Sequence, residues 1–299
     1  MSTRDRFDLV LLGVIWGASF LFTRITAPEF GAFALVEIRL AIGAAILTGL
    51  LAARGGFGEL RGAWTPALIV GFFNSALPFA LFAYALVFIT AGTAAVINAT
   101  TPLFGALVAY IWLNDRMTVM RAVGLAVGFC GVVLSAWDKI SLSGGSTTLA
   151  IFATLGASLS YGVGVNYAKR RLTGVAPLAQ ATGSNIAAAL LLLPLALTHW
   201  PSTSPTLKGW LCVAALGIFC TALAYVLYFR LITRVGPAKA TTVTYLIPVF
   251  GMLWGYLFLH EGVTPQMLTA CAVIVFGTAL ATGNLKLPWR SRDRVTSGA

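Results

Sequence analysis

Charged side chains are scarce in this chain: Asp, Glu, Lys and Arg make up 10% of the 299 residues, while 59% are hydrophobic. A soluble domain carries about 25% charge, so the deficit excludes a water-soluble globule with a large core. Histidine is nearly missing, with only His199 and His260 present. No HExxH and no GxSxG occurs, which removes the constellations hydrolysis needs, and no Walker A run is present for ATP. No cofactor or metal site is expected. The four cysteines (Cys130, Cys212, Cys220, Cys271) fall singly inside apolar runs. They lack the spacing of a disulfide framework and read as small packing residues. The net charge of +11 is scattered, with no basic stripe of the kind that tracks phosphates, so nucleic acid is not an expected partner.

What the chain has instead is apolar runs of about 20 residues, enough to cross a ~30 Å hydrocarbon layer. Cutting at charged, Gly and Pro clusters predicts ten spans, near 7–26, 31–53, 64–87, 91–112, 118–137, 147–168, 175–198, 209–229, 237–259 and 264–285. Loops are short, the first run reads as an uncleaved helix, and 286–299 reads as a basic cytoplasmic tail. Counting Lys and Arg in alternate loops puts sixteen on one side and three (Arg24, Lys139, Lys208) on the other, with Arg39 inside a span. By the positive-inside rule both termini are cytoplasmic. The expected class is an all-α integral membrane protein, a monomer or homodimer in the lipid bilayer.

The chain also repeats itself. TPLFGALVAYIWLNDRMT (Thr101 to Thr118) matches IPVFGMLWGYLFLHEGVT (Ile247 to Thr264) at seven of 18 positions, at a constant offset of 146. Gly131 pairs with Gly277 and Leu134 with Leu280 at the same offset. Trp16-Gly17 matches Tyr161-Gly162, and Arg24 matches Lys169, at offset 145. Spans one to five (residues 1–140) thus correspond to spans six to ten (residues 141–285). Five is odd, so the second copy enters the membrane from the opposite side. Inverted-topology repeats of this kind (5+5) place a substrate site near the midplane between the copies and operate by alternating access.

WGASF in the first span, EIRLAIGA in the second, and the PLFG…LNDR and PVFG…LHEG segments, in this order, resemble the drug/metabolite transporter superfamily, in particular its EamA-type branch. The resemblance covers about residues 7–285. It implies a bacterial inner-membrane transporter whose helices 1–4 and 6–9 enclose a central cavity, with 5 and 10 at the periphery. It further implies export of amino acids, aromatic, Met or similar small neutral ones. A multidrug or other small-metabolite exporter is the alternative, although the WGASF stretch of the first span carries no acid of the kind that proton-driven drug export uses.

Polar side chains within a bilayer need a partner or a watery cavity. Arg39 and Glu37 are the charged residues well inside a span, and two positions apart on a helix they point about 200° from each other. Arg39 is a carboxylate receptor or gate residue on one reading and a snorkelling side chain on the other; Glu37 is expected to be partly exposed at the outer rim. Trp16 with Tyr161, and Tyr84 with Tyr225, are symmetry-related aromatics that line the pathway or simply face lipid. Asn74, Asn98, Thr101, Asn166 and Asn185 supply groups that bind an amino acid's ends or glue helices. Pro102 and Pro248 break the backbone ladders of spans four and nine, marking helix bends beside the site, and Tyr245 is expected to share the face of Pro248. Facilitated efflux and proton antiport both remain open as driving forces.

Overall fold

The computed structural model describes residues 1–142 and 144–285; the tail expected over 286–299 lies outside the described residues. Among those residues the chain is helical and contains no strand. Eight helices are long and apolar enough to cross a bilayer, and a ninth has 17 residues. In chain order they are α1 (Thr3–Ala53), α2 (Trp64–Phe88), α3 (Ala91–Leu113), α4 (Val119–Leu142), α5 (Gly144–Arg171), α6 (Pro177–Thr198), α7 (Leu207–Val235), α8 (Thr241–Leu259) and α9 (Pro265–Ala281). Large apolar side chains such as Ile111 and Leu190 are exposed on the outer surface, as a lipid-facing surface requires.

α1 reverses direction within its length. Gly31 has φ 69° and ψ 170°, a conformation glycine adopts without the steric cost a Cβ would bring. On a straight helix Ile15 and Arg39 would lie about 36 Å apart at 1.5 Å per residue. Neighbouring residues of α7 touch both: Cys220 Sγ donates to Ile15 O at 3.3 Å, and Thr221 Oγ1 accepts from Arg39 Nε at 3.0 Å. The chain therefore folds back at Gly31, which gives α1 two arms, each long enough to span.

The two matched segments around Pro102 and Pro248 follow similar backbone courses. Pro102 and Pro248 each occupy the first turn of a 13-residue helix, Thr101–Leu113 and Ile247–Leu259. Both helices end in a left-handed residue, Asn114 (φ 53°, ψ 30°) and His260 (φ 53°, ψ 31°). The following N–H then turns back, Asp115 to Ala109 O and Glu261 to Gly255 O. Ahead of the prolines α3 is interrupted at residues 99–100, and α8 begins as a tight turn, Thr241–Tyr245. Proline has no N–H, so the carbonyls of Asn98 and Thr244, four residues upstream, lack their helical donors. α2 and α7 share a second irregularity, a wide π turn at Phe72–Ala76 and at Ile218–Leu223. Such turns add a residue and re-aim the side chains that follow.

Close approach through small residues holds the helices together. A Cβ on Gly277 would sit 2.4 Å from Gly128 N, so α9 and α4 meet backbone to backbone. Gly71 of α2 lies equally close to Ser184 O of α6. These contacts leave a space where α1, α2, α3, α5, α7 and α8 converge.

Candidate functional site

That space is a cavity of about 210 Å³, reached by the first arm of α1 through Trp16, Ser19, Phe20 and Thr23 and by the second through Leu35, Val36 and Arg39. The breaks in α3 and α8 both face it, through Asn98 and Thr101 and through Thr244 and Ile247. So do both π turns: Asn74 lies inside one, and Cys220 inside the other. The irregular backbone thus sits where unsatisfied carbonyls can face a cavity rather than lipid.

Arg39 is the one charged residue lining this cavity among the described residues. It is 7% exposed, its Nε donates to Thr221 Oγ1 at 3.0 Å, and its guanidinium carbon lies 3.8 Å from the centre of the Phe79 ring. Thr221 in turn donates to Leu216 O, five residues back, the spacing of the π turn. No carboxylate within ion-pairing distance and no acceptor for the two terminal amino groups occurs among the described residues. The Thr221 bond and the Phe79 ring together hold the plane of the guanidinium.

Of the ten residues expected on the pathway, Trp16, Arg39, Asn74, Asn98, Thr101, Tyr161 and Tyr225 line the cavity. Trp16 packs on Tyr228 and Tyr161 on Phe82, at centroid distances of 5.3 and 6.3 Å. Thr101 donates to Asn98 Oδ1 at 3.1 Å.

Three residues lie elsewhere. Tyr84 is 38% exposed and packs on Phe88. Beyond the π turn the cavity face of α2 is Phe79, Phe82 and Leu86, and Tyr84 is two positions, about 200°, from Phe82. Asn166 is buried and donates to Gly105 O and Gly162 O at 2.9 and 2.8 Å, tying α5 to α3. Tyr245 bonds Thr282 Oγ1 and accepts from Asn284, at 3.1 and 3.0 Å. The tight turn ahead of Pro248 gives the cavity face to Thr244 and Ile247 instead. Asn185 is buried in α6, where its amide nitrogen bonds Ala181 O.

Glu37 departs from expectation too, being 8% exposed rather than at an open rim. The second arm of α1 meets α7 through Arg39 and Ile42 at Gly217, and Glu37, about 200° from Arg39 on the helix, is buried on the other face. It does not line the cavity, and Oε2 has no hydrogen-bond partner. Residues that composition did not flag include Phe79, Phe82, Cys220 and Thr244. Phe79, Phe82 and Leu86 follow helical spacing, but the face they mark is legible only once the π turn is placed.

The comparisons with known proteins agree with this architecture. The sequence pattern of the "EamA-like transporter family" matches the chain twice, over residues 8–137 and 148–283. The "Uncharacterized inner membrane transporter YedA" of Escherichia coli (strain K12) is 30% identical over 92% of this chain and 89% of its own. The "Probable terminal-alkyne amino-acid exporter" of Streptantibioticus cattleyicolor is 27% identical over 97% of this chain and 96% of its own. A solved structure at 22% identity superposes with a TM-score of 0.67, covering 95% of this chain and 98% of that one, which speaks to the fold alone. A helical membrane chain that matches the pattern over nearly its whole length belongs to the EamA-like transporter family.

Proposed function

We propose that this chain is a secondary transporter of the bacterial inner membrane. It exports small neutral amino acids, the aromatic ones and Met foremost, by alternating access through the central cavity. The observation that carries the cargo assignment is Arg39: a buried, pre-positioned guanidinium with free donors suits a substrate carboxylate. An α-carboxylate supplies the charge the cavity lacks, and the Tyr and Phe rings accept an apolar side chain. The printed name of the Streptantibioticus cattleyicolor relative, an amino-acid exporter, supports the same class. The alternative is a multidrug or other small-metabolite exporter. It is disfavoured by a cavity of about 210 Å³, below the roughly 300–1,000 Å³ of drug-sized sites.

The architecture we infer is ten spans in two inverted repeats, residues 1–140 and 141–285. Counting both arms of α1 and adding α9 gives ten, and the family pattern's double match supports the division. The paired proline breaks, paired left-handed caps and paired π turns support the duplication independently. Ten spans with the basic loops inside leave both termini cytoplasmic.

Counterflow in liposomes tests the cargo. Preloaded unlabelled aromatic amino acids or Met should drive saturable uptake of the labelled compound. Absence of such flux across an amino-acid panel, with transport of a lipophilic cation, would give the function to the drug-exporter reading.

A further inference from the structure

The two ends of the cavity are not in the same condition. Over its Thr23–Leu86 end, Arg24 Nη1 donates to the carbonyls of Leu86 and Val87 where α2 ends, the latter at 2.7 Å. Arg24 Nε stands 3.9 Å from Glu261 Oε1, just beyond α8. Glu261 in turn accepts the Ala91 and Gly92 N–H groups that open α3, at 3.0 and 3.4 Å. One Arg and one Glu thereby join four segments from both halves of the chain across that end.

The repeat supplies the same pair of charges a second time. Arg24 corresponds to Lys169 at offset 145, and Glu261 to Asp115 at offset 146. Lys169, near the end of α5, and Asp115, just beyond α3, line one cleft together with Trp112 and Arg170. There the charges are unengaged. Among the described residues neither side chain makes an ion pair or hydrogen bond, and Lys169 reaches no carbonyl of α7 as Arg24 reaches those of α2. The remaining ion pairs, Asp5 and Asp8 with Arg230 and Arg234 at 3.7–3.9 Å, have no counterpart. At offset 145 Asp5 and Asp8 become Ala150 and Ala153.

We propose that Arg24–Glu261 and Lys169–Asp115 are alternate gate latches. The first is closed in this structure. The second closes the opposite end of the cavity when the first opens. The inference rests on the inverted-repeat reading above. Exchanging one ion pair for its counterpart keeps the two states close in free energy, which a transporter that must visit both requires.

The test uses the full chain in native membranes, with the four cysteines replaced by Ala and Ser19, a cavity-lining residue, replaced by Cys. A membrane-impermeant maleimide is applied to right-side-out and inside-out vesicles. The parent should label from the Asp115/Lys169 side. Glu261→Gln should raise labelling from the other side roughly two- to fivefold, the scale of a lost partly exposed ion pair. Asp115→Asn and Lys169→Gln should both move the ratio the opposite way. Size-exclusion profiles of all three variants exclude misfolding as the cause. Ratios that stay put in the folded variants, or move in the same direction on both sides, overturn the latches. The labelling ratio is independent of cargo. Opposite shifts without amino-acid flux leave the latches standing and remove the cargo, whereas saturable flux with fixed ratios does the reverse.

Discussion

Replacing Arg39 separates a substrate receptor from a structural cation, because the two roles predict opposite signs of stability change. As a receptor, Arg39 gains its partner only when substrate is bound. Hydrogen bonds to a charged group contribute about 1.5–3 kcal/mol, and a factor of ten in affinity is about 1.4 kcal/mol. Arg39→Ala should therefore raise the KM for an aromatic amino acid roughly 10- to 100-fold. In the empty protein the same substitution removes a charge that is 7% exposed, sits within the membrane and has no counter-ion among the described residues. Such charges are expensive, so the melting temperature of the purified protein should stay level or rise. Arg39→Lys should fall between, because it keeps the charge but loses the planar fork and the stacking on Phe79.

The assay is counterflow in liposomes with a matched pair of substrates, an aromatic amino acid and its amide. The parent should discriminate strongly in favour of the free carboxylate, and Arg39→Ala should not. An unchanged KM together with unchanged discrimination would refute the receptor role. A lower melting temperature with normal KM would make Arg39 a helix-packing residue.

The other sites predict a graded set of outcomes. Tyr225→Ala should reduce flux several-fold while Tyr84→Ala leaves it within about twofold, since only Tyr225 lines the cavity; initial-rate measurements at equal expression decide it. Thr221→Val removes the acceptor that holds Arg39 Nε and should cost about 1 kcal/mol of binding, a roughly fivefold rise in KM. Pro248→Ala restores an N–H for the Thr244 carbonyl, and the straightened α8 should slow turnover more than it alters KM. Gly277→Leu drives a side chain into the Gly128 backbone, 2.4 Å from the position of a Cβ. Overpacking costs about 1–3 kcal/mol or more, so the melting temperature should drop and fluorescence-detected size exclusion should show loss of the monodisperse peak.

How much of this was legible in the sequence depends on the kind of signal each feature leaves. Helical membrane character follows from hydropathy, because the bilayer demands long apolar runs of any spanning helix. The breaks at Pro102 and Pro248 were legible for a similar reason: proline's missing N–H acts locally, whatever packs around it. Reading the chain as a repeat put Trp16, Tyr161 and Tyr225 beside a central cavity, and all three line it. The same argument misplaced Tyr84, whose partner Tyr225 does line the cavity. The difference lies in register: Tyr84 stands eight residues beyond the π turn of α2, whereas Tyr225 stands two beyond that of α7. Six residues amount to about 240° around a helix, so matching the two tyrosines by their AY pairs sets them on different faces, and no periodicity of apolar residues reveals where the π turns fall. Glu37 fails for a different reason. Its burial is set by the helices that pack around the second arm of α1, long-range contacts invisible in the α1 sequence. Arg39 was legible as an anomaly with two readings, receptor or gate and snorkelling side chain, and the choice between them depends on Thr221 and Phe79, 182 and 40 residues away. Sequence locates the charge that lipid would exclude, and only the fold shows whether a counter-ion is already there.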